Sequence, residues 1–194
     1  MMRSVCGKFL VIYARNIFMT NQNSELLLPC GNLSMALAAI HNGANAIYVG
    51  MPGFNARGRT HDHSFDELEE IIQTCHLYNV HVHVAFNILI FQNELDEAVL
   101  TLKKVLKMGP DALIVQDLGL VQIIKELAPN QVIHGSTQMT VTNHEAIDLL
   151  DDLDIKRFVL GRENSLEEIK IIRENSNKEL EVFVHGALCV AYSG

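Results

Sequence analysis

The sequence predicts an α/β chain wound on a parallel, barrel-like sheet, and three observations carry that reading. From Glu25 onward, short runs rich in Val, Ile and Leu alternate with segments of helical period. The runs lack strict polar alternation, as strands covered on both faces do. Capping boxes and glycines punctuate the segments between them, where helices should start and stop.

The first run is Leu26–Leu28, followed by the turn Pro29-Cys30-Gly31-Asn32 and a helix-length segment that Gly43 should end. Ala46–Val49 is the second. Ser64-Phe-Asp-Glu67 then matches a capping box, in which the Ser side chain takes the N3 amide and Glu returns to the cap amide. Leu68, Ile71, Ile72 and Cys75 recur behind it at helical spacing. Val80–Phe86 is the third run. Leu95, Val99, Leu102, Val105 and Leu106 mark the next amphipathic helix, with Gly109 at its C-terminal cap. Ala112–Val115, Val132–Ile133 and Arg157–Leu160 follow. A second capping box, Ser165-Leu-Glu-Glu168, precedes the last run, Glu181–Val184.

Seven strands with six intervening helices suit either a doubly wound sheet or a (β/α) barrel. The first turn lacks the G-x-G-x-x-G phosphate loop of the doubly wound type, so the barrel is favoured. It is a barrel truncated after the seventh strand. The first and seventh strands should therefore be free edges that invite association.

The 194 residues fit one domain, and 48% hydrophobic with 20% charged residues argues against disorder. Net charge is 15 − 23 = −8, which disfavours a protein that coats nucleic acid by bulk electrostatics. No apolar run reaches the ~18–20 residues of a membrane span, so no membrane role is expected. Four scattered cysteines, Cys6, Cys30, Cys75 and Cys189, do not make a disulfide scaffold. Residues 1–24 contain no acid but carry Arg3, Lys8 and Arg15. They read as an extension, either an organelle presequence or a disordered tail, ahead of a barrel domain over 25–194. The expected location is cytoplasmic, or organellar if the extension is a presequence.

Chemistry in such folds collects at the carboxyl ends of the strands. There the sequence places Asn55 and Arg57, Asn87, Gln116 and Asp117, Ser136 and Gln138, Arg162 and Glu163, and His185. Arg57 and Arg162 are the candidate anion binders, because a guanidinium grips a carboxylate through two parallel bonds. Ion pairing with Asp117 or Glu163 is the plainer alternative. His81, His83 and Asn87 share a strand face and would line the interior. Neither that His pair nor His61 with His63 supplies the third ligand that zinc needs. G-x-S-x-G, H-E-x-x-H and a Walker loop are absent. Cys75 reads as core, and Cys30 as a weak nucleophile candidate at the active end.

The last stretch, Glu181-Val-Phe-Val-His-Gly-Ala-Leu-Cys189-Val-Ala-Tyr-Ser-Gly194, resembles the signature of the collagenase-like peptidase family U32, Glu-x-Phe-x-x-Gly-Ala-Leu-Cys-x-x-x-x-Gly-x-Cys. Glu25-Leu-Leu-Leu-Pro-Cys-Gly-Asn32, Phe54-Asn-Ala-Arg57, Gly109-Pro-Asp-Ala-Leu-Ile-Val-Gln-Asp117 and Ser136-Thr-Gln-Met-Thr-Val-Thr-Asn143 are similar to the family too. The resemblance implies either peptidase activity or RNA modification. Met108–Ile114 with Val184–Gly194 is most similar to the branch that hydroxylates tRNA wobble uridine with prephenate. It implies a four-iron four-sulfur cluster in the complete protein, with Cys189 as a ligand and the other ligands absent from this chain. The expected partners are then tRNA and a small carboxylate co-substrate, which two arginines at a strand-end cavity would suit. The chain alone should stay colourless with iron and sulfide and be inactive on tRNA. A collagenase-like peptidase and an inactive truncated fragment are the alternative readings.

Overall fold

The computed structural model of the protein describes residues 10–13, 24–55 and 64–185. Its strands are β1 (Leu10–Tyr13), β2 (Glu25–Pro29), β3 (Ala46–Gly50), β4 (His81–Phe86), β5 (Ala112–Val115), β6 (Ile133–Gly135), β7 (Arg157–Val159) and β8 (Glu179–His185). Strands β2 to β8 run parallel, each hydrogen-bonded to the next in chain order. They are the seven strands expected from the apolar runs.

Six helices fill the crossovers: α1 (Leu33–His41), α2 (Phe65–Leu77), α3 (Leu95–Met108), α4 (Leu118–Leu127), α5 (His144–Leu149) and α6 (Leu166–Asn175). Both capping boxes form, from Ser64 to Glu67 and from Ser165 to Glu168. Gly109 stops α3 in the left-handed region at φ 74°, where a side chain would be strained.

The expectation of free edges is overturned. β1 lies antiparallel between β2 and β8, pairing Val11 with Leu27 on one side and Val11 with Phe183 on the other, and so closes the barrel. Open ladders on β2 and β8 would leave backbone amides and carbonyls unpaired, and an extended segment from the extension satisfies both. The strand order and direction of the seven-stranded parallel part stand.

Residues alternate along each strand between the helix-facing and lumen-facing sides. The main core lies outside the barrel wall, where Ile47, Val49, Val82, Val84, Phe86, Leu113, Val115 and Phe158 pack on Leu68, Ile71, Leu102 and Ile124 of the helices. Gly135 of β6 belongs to this tight layer. A Cβ there would lie 2.8 Å from Cδ1 of the Phe158 ring and 3.1 Å from Met139 Sδ. Gly135→Ala should therefore destabilise by about 1–3 kcal/mol through overpacking. Thermal unfolding checks it: the midpoint should fall by several degrees, and an unchanged midpoint would show that the layer has room. Inside the barrel a small apolar group, Leu27, Ala46, Tyr48 and Phe183, sits apart from that core. The lumen also holds buried polar side chains, His83, His134, Arg157 and Glu181.

Candidate functional site

The carboxyl ends of the strands bring most of the sequence-predicted residues to one face. Asn55, in the loop after β3, folds back so that its Nδ2 donates to the Met51 carbonyl at 2.7 Å. It lies over Gly50, where a Cβ would meet Asn55 Cγ at 2.6 Å. Asn87 follows β4 directly and is half-buried. After β5, Gln116 Nε2 donates to the Gln138 carbonyl at 3.4 Å, tying the β5 and β6 ends together. Gln138 in turn donates its backbone N–H to Ser136 Oγ at 3.2 Å.

Asp117 has a defined structural task. One carboxylate oxygen accepts from the Leu120 amide at 2.9 Å as the N-cap of α4, and the other accepts from the Ile90 amide at 3.2 Å. It pins the β4–α3 loop beside the start of α4. Arg162 and Glu163 are exposed in the loop after β7, and His185 is exposed at the end of β8. Arg57, Cys189, His61, His63 and Cys6 lie outside the described residues, so the expected convergence of Arg57 with Arg162 rests on one described partner.

Chemically this rim is a set of side-chain amides with a cation at one side. Asn55, Asn87, Gln116 and Gln138 each carry donors and an acceptor, suited to polar edges that mix both. The strongly shifted titratable groups lie elsewhere. Cys30 packs into the core with its thiol 3.2 Å from the Asn32 carbonyl, and burial pushes its pKa up to about 12. Burial likewise raises Cys75, on α2, to about 11. The core reading of Cys75 holds. The nucleophile reading of Cys30 does not, because a thiol so raised holds almost no thiolate near neutrality.

Sequence reasoning missed the charge cluster inside the barrel. Arg157, the first residue of β7, sends its guanidinium to Glu25 of β2 at 2.8 Å, to Glu179 of β8 at 3.0 Å and to Glu181 of β8 at 3.4 Å. Desolvation works against the Arg157 charge, but Glu25 and Glu181 outweigh it and hold the proton more tightly than usual. Glu181 is buried deepest, and that burial pushes its carboxyl up to about 7 despite Arg157. In the same lumen, His83 and His134 meet edge-to-face with centroids 4.7 Å apart. Both are buried, and the Nδ1 of each has no hydrogen-bond partner. Desolvation, then Arg157, lowers His83 to about 3, and desolvation with His83 and Arg157 lowers His134 well below its usual value. Two signals could have found the cluster: Glu179 and Glu181 two apart in an apolar strand, and Arg157 opening another.

His83 lines the lumen as expected. His81 does not: it turns at the amino-terminal rim to Asp111 at 3.0 Å, whose other oxygen meets His76 of α2 at 2.8 Å. Burial would raise Asp111, but the Val82 amide and the two histidines bonded to it bring its pKa below the ordinary value. A concave surface of about 700 Å³ at this same end is lined by Glu25, His41, Asn45, Tyr78 and His81. It shares no residue with the carboxyl-end rim. Among the described residues no helix is long and apolar enough to cross a membrane.

The sequence pattern of Peptidase family U32 matches residues 31–194. The chain is 39% identical over 171 residues to "tRNA hydroxylation protein P" of Escherichia coli, covering 88% of this chain and 38% of that protein. It is 36% identical over 170 residues to a 23S rRNA 5-hydroxycytidine synthase of the same organism, covering 88% of this chain and 25% of the other. The chain thus spans about two-fifths or less of these relatives. The solved structure of a U32 peptidase superposes with a TM-score of 0.68 at 16% identity, covering 84% of this chain and 70% of that one, a likeness of fold.

Proposed function

The chain belongs to peptidase family U32, and from that premise we propose that it is the barrel part of an RNA hydroxylation protein acting on tRNA wobble uridine. The observation that carries the reading is the 39% identity, across 88% of the chain, to a protein named for tRNA hydroxylation. The rim supports it. A pyrimidine edge offers both carbonyl acceptors and an N–H donor, and the amides of Asn87, Gln116 and Gln138 can answer either.

Prephenate is the co-substrate in this reading, its carboxylates taken by Arg162 with Arg57 through charge-assisted bonds. An iron–sulfur cluster would supply the redox chemistry of the complete protein. The described cysteines do not fit one. Cluster ligands are thiolates gathered at one point, whereas Cys30 and Cys75 are core thiols with raised pKa. Cys189, in the family motif, is the ligand the proposal assigns.

The peptidase alternative takes its support from the family's name. It needs an activated nucleophile or a metal-bound water. Among the described residues no group of three or more His, Cys, Asp or Glu is placed to hold a metal ion, and burial raises the Cys30 thiol to about 12. The two readings separate in one pair of assays on the full chain. We expect retention of an unmodified tRNA transcript in filter binding and no cleavage of gelatin. Gelatin cleavage without tRNA retention would overturn the RNA reading.

A further inference from the structure

The loop between β4 and α3 displays an arrangement that the rim chemistry leaves unused. Its residues alternate: Ile88 and Ile90 pack against the core, while Leu89 and Phe91 are turned out, 57% and 68% exposed. An exposed phenylalanine on a floppy loop would mean little. Here the backbone on both sides is held. The Ile90 amide donates to Asp117 Oδ2 at 3.2 Å, the Phe91 amide donates to Glu94 Oε2 at 3.0 Å, and the Phe91 carbonyl accepts from the Glu94 amide at 2.9 Å.

The anchor on Asp117 joins this loop to the site. Asp117 lies next to Gln116 and immediately before Leu118, itself exposed at the start of α4. Asn87, four residues before Phe91, opens the same loop. The result is an exposed aromatic side chain on an anchored backbone, in the loop that Asn87 opens and that Asp117 ties to the end of β5. The local charge does not favour a phosphate, since Glu94, Asp96 and Glu97 follow within six residues and the chain carries a net −8. The neutral, flat part of a nucleotide is what such a surface can take.

We propose that Phe91, with Leu89 beside it, is the stacking platform for an unpaired nucleobase of the RNA whose neighbouring base or edge is read by the amides of Asn87 and Gln116. This rests on the RNA reading above and adds a residue to that site. Affinity then comes from stacking, which needs no basic surface and tolerates any base, while the amides supply selectivity. Phe91 is a binding residue; the chemistry of the reaction is carried elsewhere.

The chain contains no tryptophan, so Phe91→Trp places a single indole reporter at the platform. In the full chain, an unmodified tRNA transcript should quench that fluorescence, and single-stranded poly(U) should do so more weakly. Phe91→Ala should weaken filter-binding affinity for the transcript about tenfold, the size of one base–aromatic stack, with thermal stability unchanged. Binding of tRNA by the wild-type chain with no quenching in F91W and no loss in F91A would overturn the platform and leave the RNA reading standing. Failure of the wild-type chain to bind tRNA would overturn both. A blue shift of the F91W indole that grows with protein concentration and ignores RNA would assign the patch to a second copy of the chain, and so also overturn the proposal.

Discussion

Arg157→Leu should lower folding free energy by about 3–5 kcal/mol, the usual cost of removing one partner from a buried ion pair. The lost attraction is the smaller part of the effect. Glu25, Glu179 and Glu181 would remain gathered at the amino-terminal end of the lumen without the cation that neutralises them. Because the bond to Glu25 joins β7 to β2, the cluster spans the seam where β1 is inserted. Its loss should therefore loosen the closure of the barrel as well as its stability. Arg157→Lys should rescue only in part. An ammonium is a point charge and cannot present the planar fork that reaches Glu179 through both Nε and Nη2 while holding Glu25. Adding Glu181→Leu to Arg157→Leu should recover part of the loss, since an apolar group tolerates the deep position that a carboxylate does not. Urea unfolding measures all three. A shift of the Arg157→Leu midpoint no larger than that of a surface substitution would show that water reaches the cluster and screens it.

That cluster also marks where the sequence stopped being informative. The seven parallel strands were legible because strands covered on both faces read as largely apolar runs, and the capping boxes because their spacing is local. The rim was legible by position alone, since whatever follows a strand lies at its end. Partners were harder. Asp117 looked like a free carboxylate for a ligand, yet an Asp directly before Leu118-Gly-Leu-Val is also a helix-start signal, and the structure uses it so. β1 had no readable signal: Leu10–Tyr13 is a short apolar stretch, and only the gap between β2 and β8 gives it a place. Arg157 and Glu25 are 132 residues apart, and nothing in local pattern links them. Period-2 reasoning says which face a residue takes, not what it meets across the lumen.

The histidine pair in the lumen makes acid the expected weakness of the fold. His83 and His134 are buried neutral, and their pKa values are lowered first by desolvation and then by neighbouring positive charge, His83 to about 3. The folded state thus binds fewer protons than the unfolded chain below the usual histidine pKa of about 6.5. Stability from this source is complete above that value and is lost as pH falls toward 3, by up to about 1.4 kcal/mol per pH unit for each ring. Glu181 works the other way. Its pKa is raised by burial from 4.5 to about 7, so its contribution is present below 4.5 and lost as pH rises through 7. Between about pH 6.5 and 4.5 the carboxyl works against the two rings, so stability should fall only gently there. Below 4.5 the offset is spent and the slope should steepen. Urea midpoints measured from pH 7.5 down to 4 should trace this bend. His83→Leu, which removes one titrating ring, should flatten the upper limb. A wild-type midpoint that stays level from pH 7.5 to 4.5 would mean that the two rings are already protonated or reached by water, and the dry, neutral lumen would have to be given up.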